Sequence, residues 1–428
     1  CSSDLLTRPD LQSSVTGVQI DSESADASFG LQPEKSAAAK LSARQVLFSD
    51  AVQANIAIQR HLFEASGQAY RAQRLDLTLE ITERYFDFLK AHNLYQVRRD
   101  NLDRTSSHLE TAKTRKAVGL ANPAEVYRWQ AQLANDKLAS IEARNQADQA
   151  LYALNRLLGA PQEQPLQGLM PDMMDPEMRS NFARITQYVG NEHEFERFRA
   201  FMVQEALRDA PELARIQALM NAQKRSLQTA NRAFYLPTIA LQGSLENEFY
   251  RSDSENPLLN LLPPGTGAAL PTAPDTSWNV ALQFSLPLYS GGKRHQDQAL
   301  AQFGLDRLEL QRQEVSEQLE LRVRASLQAL ASTSVGIQLR EEAAQAALKS
   351  LELMEDAYAQ GVASPIDLID SQNTALVAQI AATNARHDYF LALMRFQRAS
   401  GNFDVFLTAQ EREAFYQRLN TFYATEKE

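Results

Sequence analysis

Along most of this chain apolar residues return every three or four positions, the period of a helix with one buried face. The pattern runs unbroken from about Asp50 to Val118 and again from about Lys293 to Gln360, nearly 70 residues each time. At 1.5 Å per residue each stretch predicts a helix on the order of 100 Å long. In the second, Leu308, Val315, Leu319, Val323, Leu327 and Leu330 fall at spacings of three, four and seven, a coiled-coil-like stripe. Shorter helices follow, ending at Gly159 and Gly401. A globular core cannot bury helices this long, so the pattern calls for tubular or filamentous packing.

The period changes to two in the middle of the chain. A helix from about Phe201 runs into Phe234, Tyr235, Leu236 and Pro237. Then Ile239, Leu241, Gly243 and Leu245 alternate with Thr238, Ala240, Gln242 and Ser244, and Val280, Leu282, Phe284 and Leu286 alternate with Asn279, Ala281, Gln283 and Ser285. Two strands, at 238–249 and 277–288, are predicted with one apolar face each. Such a face suits a barrel wall, apolar to lipid and polar to lumen, with Phe249, Trp278 and Tyr289 near the strand ends as an interfacial girdle. An ordinary hairpin on a core is the other reading. The loop from about Arg251 to Thr276 is rich in Pro, Gly, Ser and Asn, as extracellular loops of such barrels are. Weaker alternation occurs at Leu41 to Leu47, and an earlier strand is placed within about Val15 to Leu31.

The chain repeats itself. Gly119-Leu120-Ala121-Asn122-Pro123 recurs as Gly361-Val362-Ala363-Ser364-Pro365, and 361 − 119 = 242. The same offset carries Gln130 onto Gln372, Leu133 onto Ala375, Gly159 onto Gly401, Ile81 onto Val323 and Leu89 onto Ala331. Landmarks that keep register without a gap indicate tandem duplication. Each copy is a helical hairpin with unequal arms, turned by a glycine that ends one helix and a proline in the first turn of the next. The resulting plan is a linker at 1–14, repeat 1 at 15–159, a Pro- and Met-rich irregular connector at 160–196, repeat 2 at 197–401 and a counterpart of the connector at 402–428.

Composition narrows the function. Gly and Pro number only 16 each and cluster between helix-forming stretches, and the net charge is −10 with dispersed acids. A nucleic-acid-binding protein would show a basic face, and no such partner is expected. There is no Walker loop, no Rossmann glycine pattern and no Cys/His metal spacing. With six histidines and one cysteine, neither a catalytic constellation, a metal site nor a cofactor is expected, and His193 reads as a surface histidine. No run approaches the roughly 18 apolar residues of a transmembrane helix. If the chain crosses a membrane it does so as a closed barrel. The single cysteine is residue 1, and Cys1-Ser2-Ser3 looks like the start of a mature bacterial lipoprotein, acylated on Cys1. One acyl chain alone anchors only marginally.

The duplicated hairpins, the Tyr235-Leu236-Pro237 lead into a strand and the Leu288-Tyr289-Ser290-Gly291-Gly292 strand-to-helix junction together resemble the TolC family of outer-membrane factors. The resemblance covers about residues 15–410. It implies a mainly α fold of long coiled-coil-like hairpins with a small antiparallel β-barrel contribution. It further implies a homotrimer whose three chains give twelve strands to one barrel and their helices to one tunnel. The Gly119–Pro123 and Gly361–Pro365 turns would then lie at the periplasmic tip, where an inner-membrane pump and its adaptor (membrane-fusion) protein dock. The implied function is an exit duct for efflux or type I secretion in the outer membrane of a Gram-negative bacterium. A non-conducting coiled-coil scaffold or adaptor lipoprotein is the alternative, and the alternating strands discriminate against it.

At the tip the family narrows its tunnel with an acidic ring, and Asp367 and Asp370, six and nine residues past Gly361, match that motif. Two solvated carboxylates favoured by a helix dipole are the other reading. The family also closes its tip with polar links between the hairpins. Tyr358 matches one partner, and Glu125 stands where the family type has Asp. A second link uses an Arg at the position of Ala363, so that link is expected to be lost. By the offset, Pro237 maps before residue 1. Repeat 1 therefore has no room for a leading helix, and the standard helix count is in doubt.

Overall fold

The computed structural model describes residues 9–21, 33–169, 191–252, 274–403 and 406–425. Four strands and seven helices are found among them, in the order β1 (Asp10–Gln19), β2 (Lys35–Phe48), α1 (Asp50–Ala117), α2 (Pro123–Leu158), α3 (Glu192–Asp209), α4 (Pro211–Arg232), β3 (Thr238–Arg251), β4 (Thr276–Ser285), α5 (Lys293–Ala359), α6 (Pro365–Ala399) and α7 (Ala409–Thr425). The repeat carries over to the elements. Shifting α1 and α2 by 242 lays them on α5 and α6 to within a residue at each end.

Contacts divide the chain into two units, residues 1–66 with 216–311, and residues 67–215 with 312–428. The first holds one antiparallel sheet in the order β1-β2-β3-β4. Leu245 pairs with Trp278, Leu241 with Leu282 and Ile239 with Phe284, which gathers the apolar positions of β3 and β4 on one face. That face is bare: Leu241, Leu245, Trp278, Val280, Leu282 and Phe284 are all exposed. The opposite face is polar and cross-linked, with Gln242 Nε2 donating to Gln283 Oε1 at 2.7 Å, Ser244 Oγ to Asn279 Oδ1 at 3.2 Å, and Lys40 paired to Glu246 at 3.5 Å. A sheet on a globular core has the reverse exposure. In the same unit α1 begins under two arginines. Asp50 accepts from Arg225 (2.9 and 3.2 Å) and Arg232 (2.9 Å). Burial opposes its ionisation, but those hydrogen bonds prevail and hold the carboxyl below its ordinary value.

The second unit is helical and has two apolar clusters. The larger joins Phe86, Phe88 and Leu89 of α1, Leu154 of α2, Phe198, Phe201 and Met202 of α3, Val323, Leu327 and Leu330 of α5, Phe390 and Phe396 of α6, and Leu419 of α7. The α5 stripe expected from the sequence is thus inward-facing at Leu319, Val323, Leu327 and Leu330, and Val315 is half-buried. Arg398 is only 4% exposed along its side chain and survives burial by donating to Asp76 and Glu212, both at 2.6 Å.

Three expectations need correction. The single helix from about Phe201 to Phe234 is two, α3 and α4, because Ala210 adopts an extended conformation (φ −63°, ψ 118°) before Pro211. Proline disfavours a helical residue in front of it and suits the first turn behind it. Second, β1 takes up residues from Asp10 onward that were expected to be linker. Its pairing with β2, Leu11 to Ala43 and Val15 to Ala39, supplies the order that its polar pattern did not announce. Third, the segment after Gly401 is not a plain counterpart of the irregular connector: 409–425 form α7, which packs Leu419 into the large cluster. The Met-rich part of the connector and most of the loop after β3 lie outside the described residues.

Candidate functional site

The two hairpin turns are built alike. Helix α1 ends when Gly119 takes a left-handed conformation (φ 78°), and α5 ends the same way at Gly361 (φ 79°). In the first, the Gly119 N–H donates to Lys116 O and the Leu120 N–H to Arg115 O, at 3.1 and 2.8 Å. In the second, Gly361 donates to Tyr358 O and Val362 to Ala357 O, at 3.0 and 2.9 Å. This paired capping satisfies the last carbonyls of each helix and needs the positive φ that glycine adopts without strain. The return helices then start at Pro123 and Pro365, behind the caps Asn122 and Ser364.

The caps differ. Asn122 Oδ1 accepts from the Ala124 N–H at 3.0 Å and works alone. Ser364 forms a reciprocal capping box with Asp367: the hydroxyl accepts from the Asp367 N–H, and the Asp367 carboxylate accepts from the Ser364 N–H (3.3 Å) and hydroxyl (2.7 Å). Asp367 is therefore engaged within its own turn. Asp370, one turn further, is exposed and has no side-chain partner among the described residues.

Tyr358 is the centre of the site. It lies in the last turn of α5, 2% exposed, in a small cluster with Leu109, Ala112, Val126, Trp129, Leu351 and Leu368. Its hydroxyl donates to Glu125 Oε1 and accepts from Trp129 Nε1 at 3.1 Å. Burial first, then the hydrogen bond to Glu125, push the phenol up to about 12. The structure therefore brings Tyr358 and Glu125 together, and adds Trp129, which is wholly buried. It also supplies a guanidinium from a helix the sequence did not point to. Arg115 of α1 donates from Nη1 to the Tyr358 carbonyl, lies 5.0 Å from the Tyr358 ring centroid, and places Nε 3.9 Å from Glu125 Oε1. That last distance is an ion pair rather than a hydrogen bond. Ala363 itself packs, half-buried, against the cluster.

Two further groups surround this core. His108 of α1 lies 5.0 Å from the Trp129 ring and 3.4 Å from Glu355. Burial lowers its pKa foremost; Glu355 opposes that, and Arg104 reinforces it. Deeper between the helices, Gln372 Nε2 of α6 donates to Asn101 Oδ1 (2.9 Å) and Thr105 Oγ1 (2.7 Å) of α1. Thr105 donates in turn to Asp136 Oδ2 (2.7 Å) of α2, whose Oδ1 accepts from Gln132 (3.1 Å). Gln372, Asn101, Thr105 and Asp136 are all buried.

Cys1 lies outside the described residues. Among those described, no group of three or more His, Cys, Asp or Glu side chains could hold a metal ion, and no helix is long and apolar enough to cross a membrane.

A profile of the family described as outer membrane efflux protein matches residues 9–160 and 202–402. The outer membrane protein TolC of Salmonella enteritidis is 23% identical over 383 residues, covering 85% of this chain and 68% of that protein. The alkaline protease secretion protein AprF of Pseudomonas aeruginosa is 22% identical over 339 residues, covering 79% and 64%. The chain thus spans about two thirds of the length of these curated relatives. Among solved structures, the Campylobacter jejuni CmeC outer membrane channel superposes with a TM-score of 0.70 at 18% identity, over 98% of this chain and 82% of that one. The outer membrane protein VceC of Vibrio cholerae gives 0.69 at 16% identity, over 92% and 87%. These identities speak for the fold.

Proposed function

Since the chain belongs to the outer membrane efflux protein family, we infer that it is the outer-membrane exit duct of a tripartite efflux or type I secretion system. The observation that carries this is the bare apolar face of the four-stranded sheet, set in one chain with two long helical hairpins. An apolar face with a hydrogen-bonded polar face behind it suits lipid outside and water inside. Four strands cannot close a barrel, whereas three chains supply twelve. The functional form is a homotrimer in the outer membrane of a Gram-negative bacterium, its hairpin turns reaching the periplasm. An adaptor protein and an inner-membrane pump meet it there. Acylation of Cys1 adds an anchor in outer-membrane lipid. The two helical hairpins, α1 with α2 and α5 with α6, form the tunnel wall, with α3 and α7 packed against it. A scaffold that conducts nothing has no use for a lipid-facing sheet. The family and its relatives are named for the outer membrane, efflux and secretion, and a passive duct needs no catalytic residue.

In this reading the link of Tyr358 to Glu125, braced by Arg115 and Trp129, holds the tip closed. Asp370 rings the constriction, with Asp367 behind it as a cap. The test is twofold. The detergent-corrected mass of the purified particle is expected to be that of a trimer, and a planar bilayer containing it is expected to conduct. A stable monomer, or a trimer that never conducts, would sink the proposal.

A further inference from the structure

The strands carry their charges in opposite-sign neighbours. Among the described residues the four strands hold three acids, Asp10, Glu246 and Glu248, and each has a base beside it. Asp10 stands opposite Arg44 across β1 and β2. Glu246 stands opposite Lys40 across β2 and β3, and the two side chains form an ion pair at 3.5 Å. Glu248 accepts from Arg251 Nε at 3.2 Å. Lys35, at the start of β2, is the base left over.

The pair of Lys40 and Glu246 sits on the polar face, because alternate residues of a strand share a face. Lys40 is two residues from Ser42, Glu246 is two from Ser244, and the register sets Ser42 against Ser244. Next along that face come only amides and hydroxyls: Ser244 bonded to Asn279, and Gln242 to Gln283. The two charged side chains are 49% and 45% exposed. Water reaches both, so their attraction adds little to stability, and their effect is on the solution in front of them. Around a threefold axis any unmatched charge becomes a ring of three, and a ring of like charges selects ions. Two opposite charges 3.5 Å apart largely cancel at a distance and leave no such ring.

We propose that Lys40 and Glu246 set the charge balance of the duct's inner wall, so that this stretch passes hydrophilic solutes of either sign. The inference rests on the polar face of the sheet being the lumen. Each member of the pair determines specificity by cancelling the other. Without Lys40 the wall carries an acidic ring that favours cations, and without Glu246 a basic one that favours anions. Neutral amides and hydroxyls beside the pair add no charge preference of their own.

The experiment reads the potential at this level of the wall. Ser42→Cys places a thiol on the same face, and the full-length protein in non-ionic detergent is treated with a cationic and an anionic methanethiosulfonate of similar size. The protein without that thiol supplies the blank. The thiolate fraction cancels in the ratio of the two rates, which is compared with the ratio for mercaptoethanol. At about 10 mM salt, where charges act over roughly 30 Å, the two ratios should agree within about twofold. Lys40→Gln should shift the protein's ratio about fivefold toward the cationic reagent, and Glu246→Gln about as far toward the anionic one. The exchange Lys40→Glu with Glu246→Lys should restore the parent ratio. Every shift should collapse at about 1 M salt, where the screening length is about 3 Å, which a misfolded variant would not show. A parent ratio already several-fold from that of mercaptoethanol, single variants that leave the ratio unmoved, or a trimeric exchange variant that keeps a shifted ratio would each overturn the proposal. The duct reading fails separately, by a monomeric particle or a thiol that reacts with neither reagent, and takes the proposal with it.

Discussion

Glu125 and Asp367 stand at the same place in the two hairpins, 242 residues apart and third in their helices, yet their carboxylates serve different partners. Asp367 closes the capping box of its own turn. Glu125 is spared that task because Asn122 caps α2 without help, and it accepts the hydroxyl of Tyr358 from the other copy. The duplication thus gave one fold element twice and two distinct jobs. From this difference follow separate expectations for residues that the sequence pattern would group together.

Tyr358→Phe should raise conductance modestly without changing ion selectivity. The substitution leaves Trp129 Nε1 buried without an acceptor and Glu125 with only the distant Arg115. The link is far from surface-exposed, since Tyr358 is 2% accessible. Its loss should cost about 1–3 kcal/mol per protomer, more than an exposed hydroxyl would. Single-channel recording in a planar bilayer measures it, and unchanged conductance would place the constriction elsewhere.

Asp370→Asn and Asp367→Asn should now part company. Removing the exposed Asp370 charge should lower cation preference and weaken block by multivalent cations, because three like charges around an axis favour cations. Removing Asp367 should chiefly weaken the α6 cap, by about 1 kcal/mol. Reversal potentials under a salt gradient decide; equal loss of selectivity in both variants would count against the assignment of Asp367 as a cap.

His108 should report acidification through Trp129. Its pKa is held below the ordinary 6.5. A base lowered in the folded state stabilises the fold while neutral, and that contribution is lost as the pH falls below 6.5, where the unfolded chain takes up the proton first. In a Trp278→Phe background, Trp129 fluorescence should therefore be quenched by acid with a midpoint below 6.5. His108→Gln should remove the transition. A midpoint above 6.5 would mean that Glu355 outweighs burial.

Asp50→Asn should destabilise the start of α1. It deprives Arg225 and Arg232 of a charged acceptor, at a cost of about 2–3 kcal/mol. Because the Asp50 carboxyl is lowered in the folded state, its contribution is present above the ordinary value of 3.8 and disappears as the pH falls through the lowered one. Thermal unfolding followed by circular dichroism should show the difference near neutral pH and lose it in strong acid.

Much of this was legible in the sequence. The helical hairpins follow from the 3.6 period and the repeated glycine-to-proline turns, β3 and β4 from their alternation, and the meeting of Tyr358 with Glu125 from the family resemblance. Arg115, Trp129 and His108 were not found, although signals existed. Trp129 stands four residues after Glu125, on the same helix face. Arg115 lies four residues before Gly119, where the loss of an arginine at Ala363 gives a reason to look for another. Their roles depend on which helices meet, and periodicity within one helix does not specify that. The break at Ala210 was written in Pro211 and overridden by the apolar pattern on either side. Strand β1 overlaps the one expected within about Val15 to Leu31 but begins earlier, at Asp10, because its order comes from β2 rather than from an apolar face of its own.

The buried chain of polar groups from Gln372 through Thr105 to Asp136 bears on how a hairpin of this length can move. A stripe of leucine and alanine looks much the same after each turn, so apolar packing alone resists axial slippage poorly. A slip by one turn, about 5.4 Å, would carry the Gln372 amide away from Asn101 and Thr105 and strand groups that have no water to turn to. Each orphaned group would cost about 1–3 kcal/mol. Gliding of one arm past the other is thereby penalised, while pivoting about this level is not. The ladder acts as a pinned axle: once the link of Tyr358 to Glu125 is released, the helix ends beyond it can splay, while their travel along the bundle stays fixed.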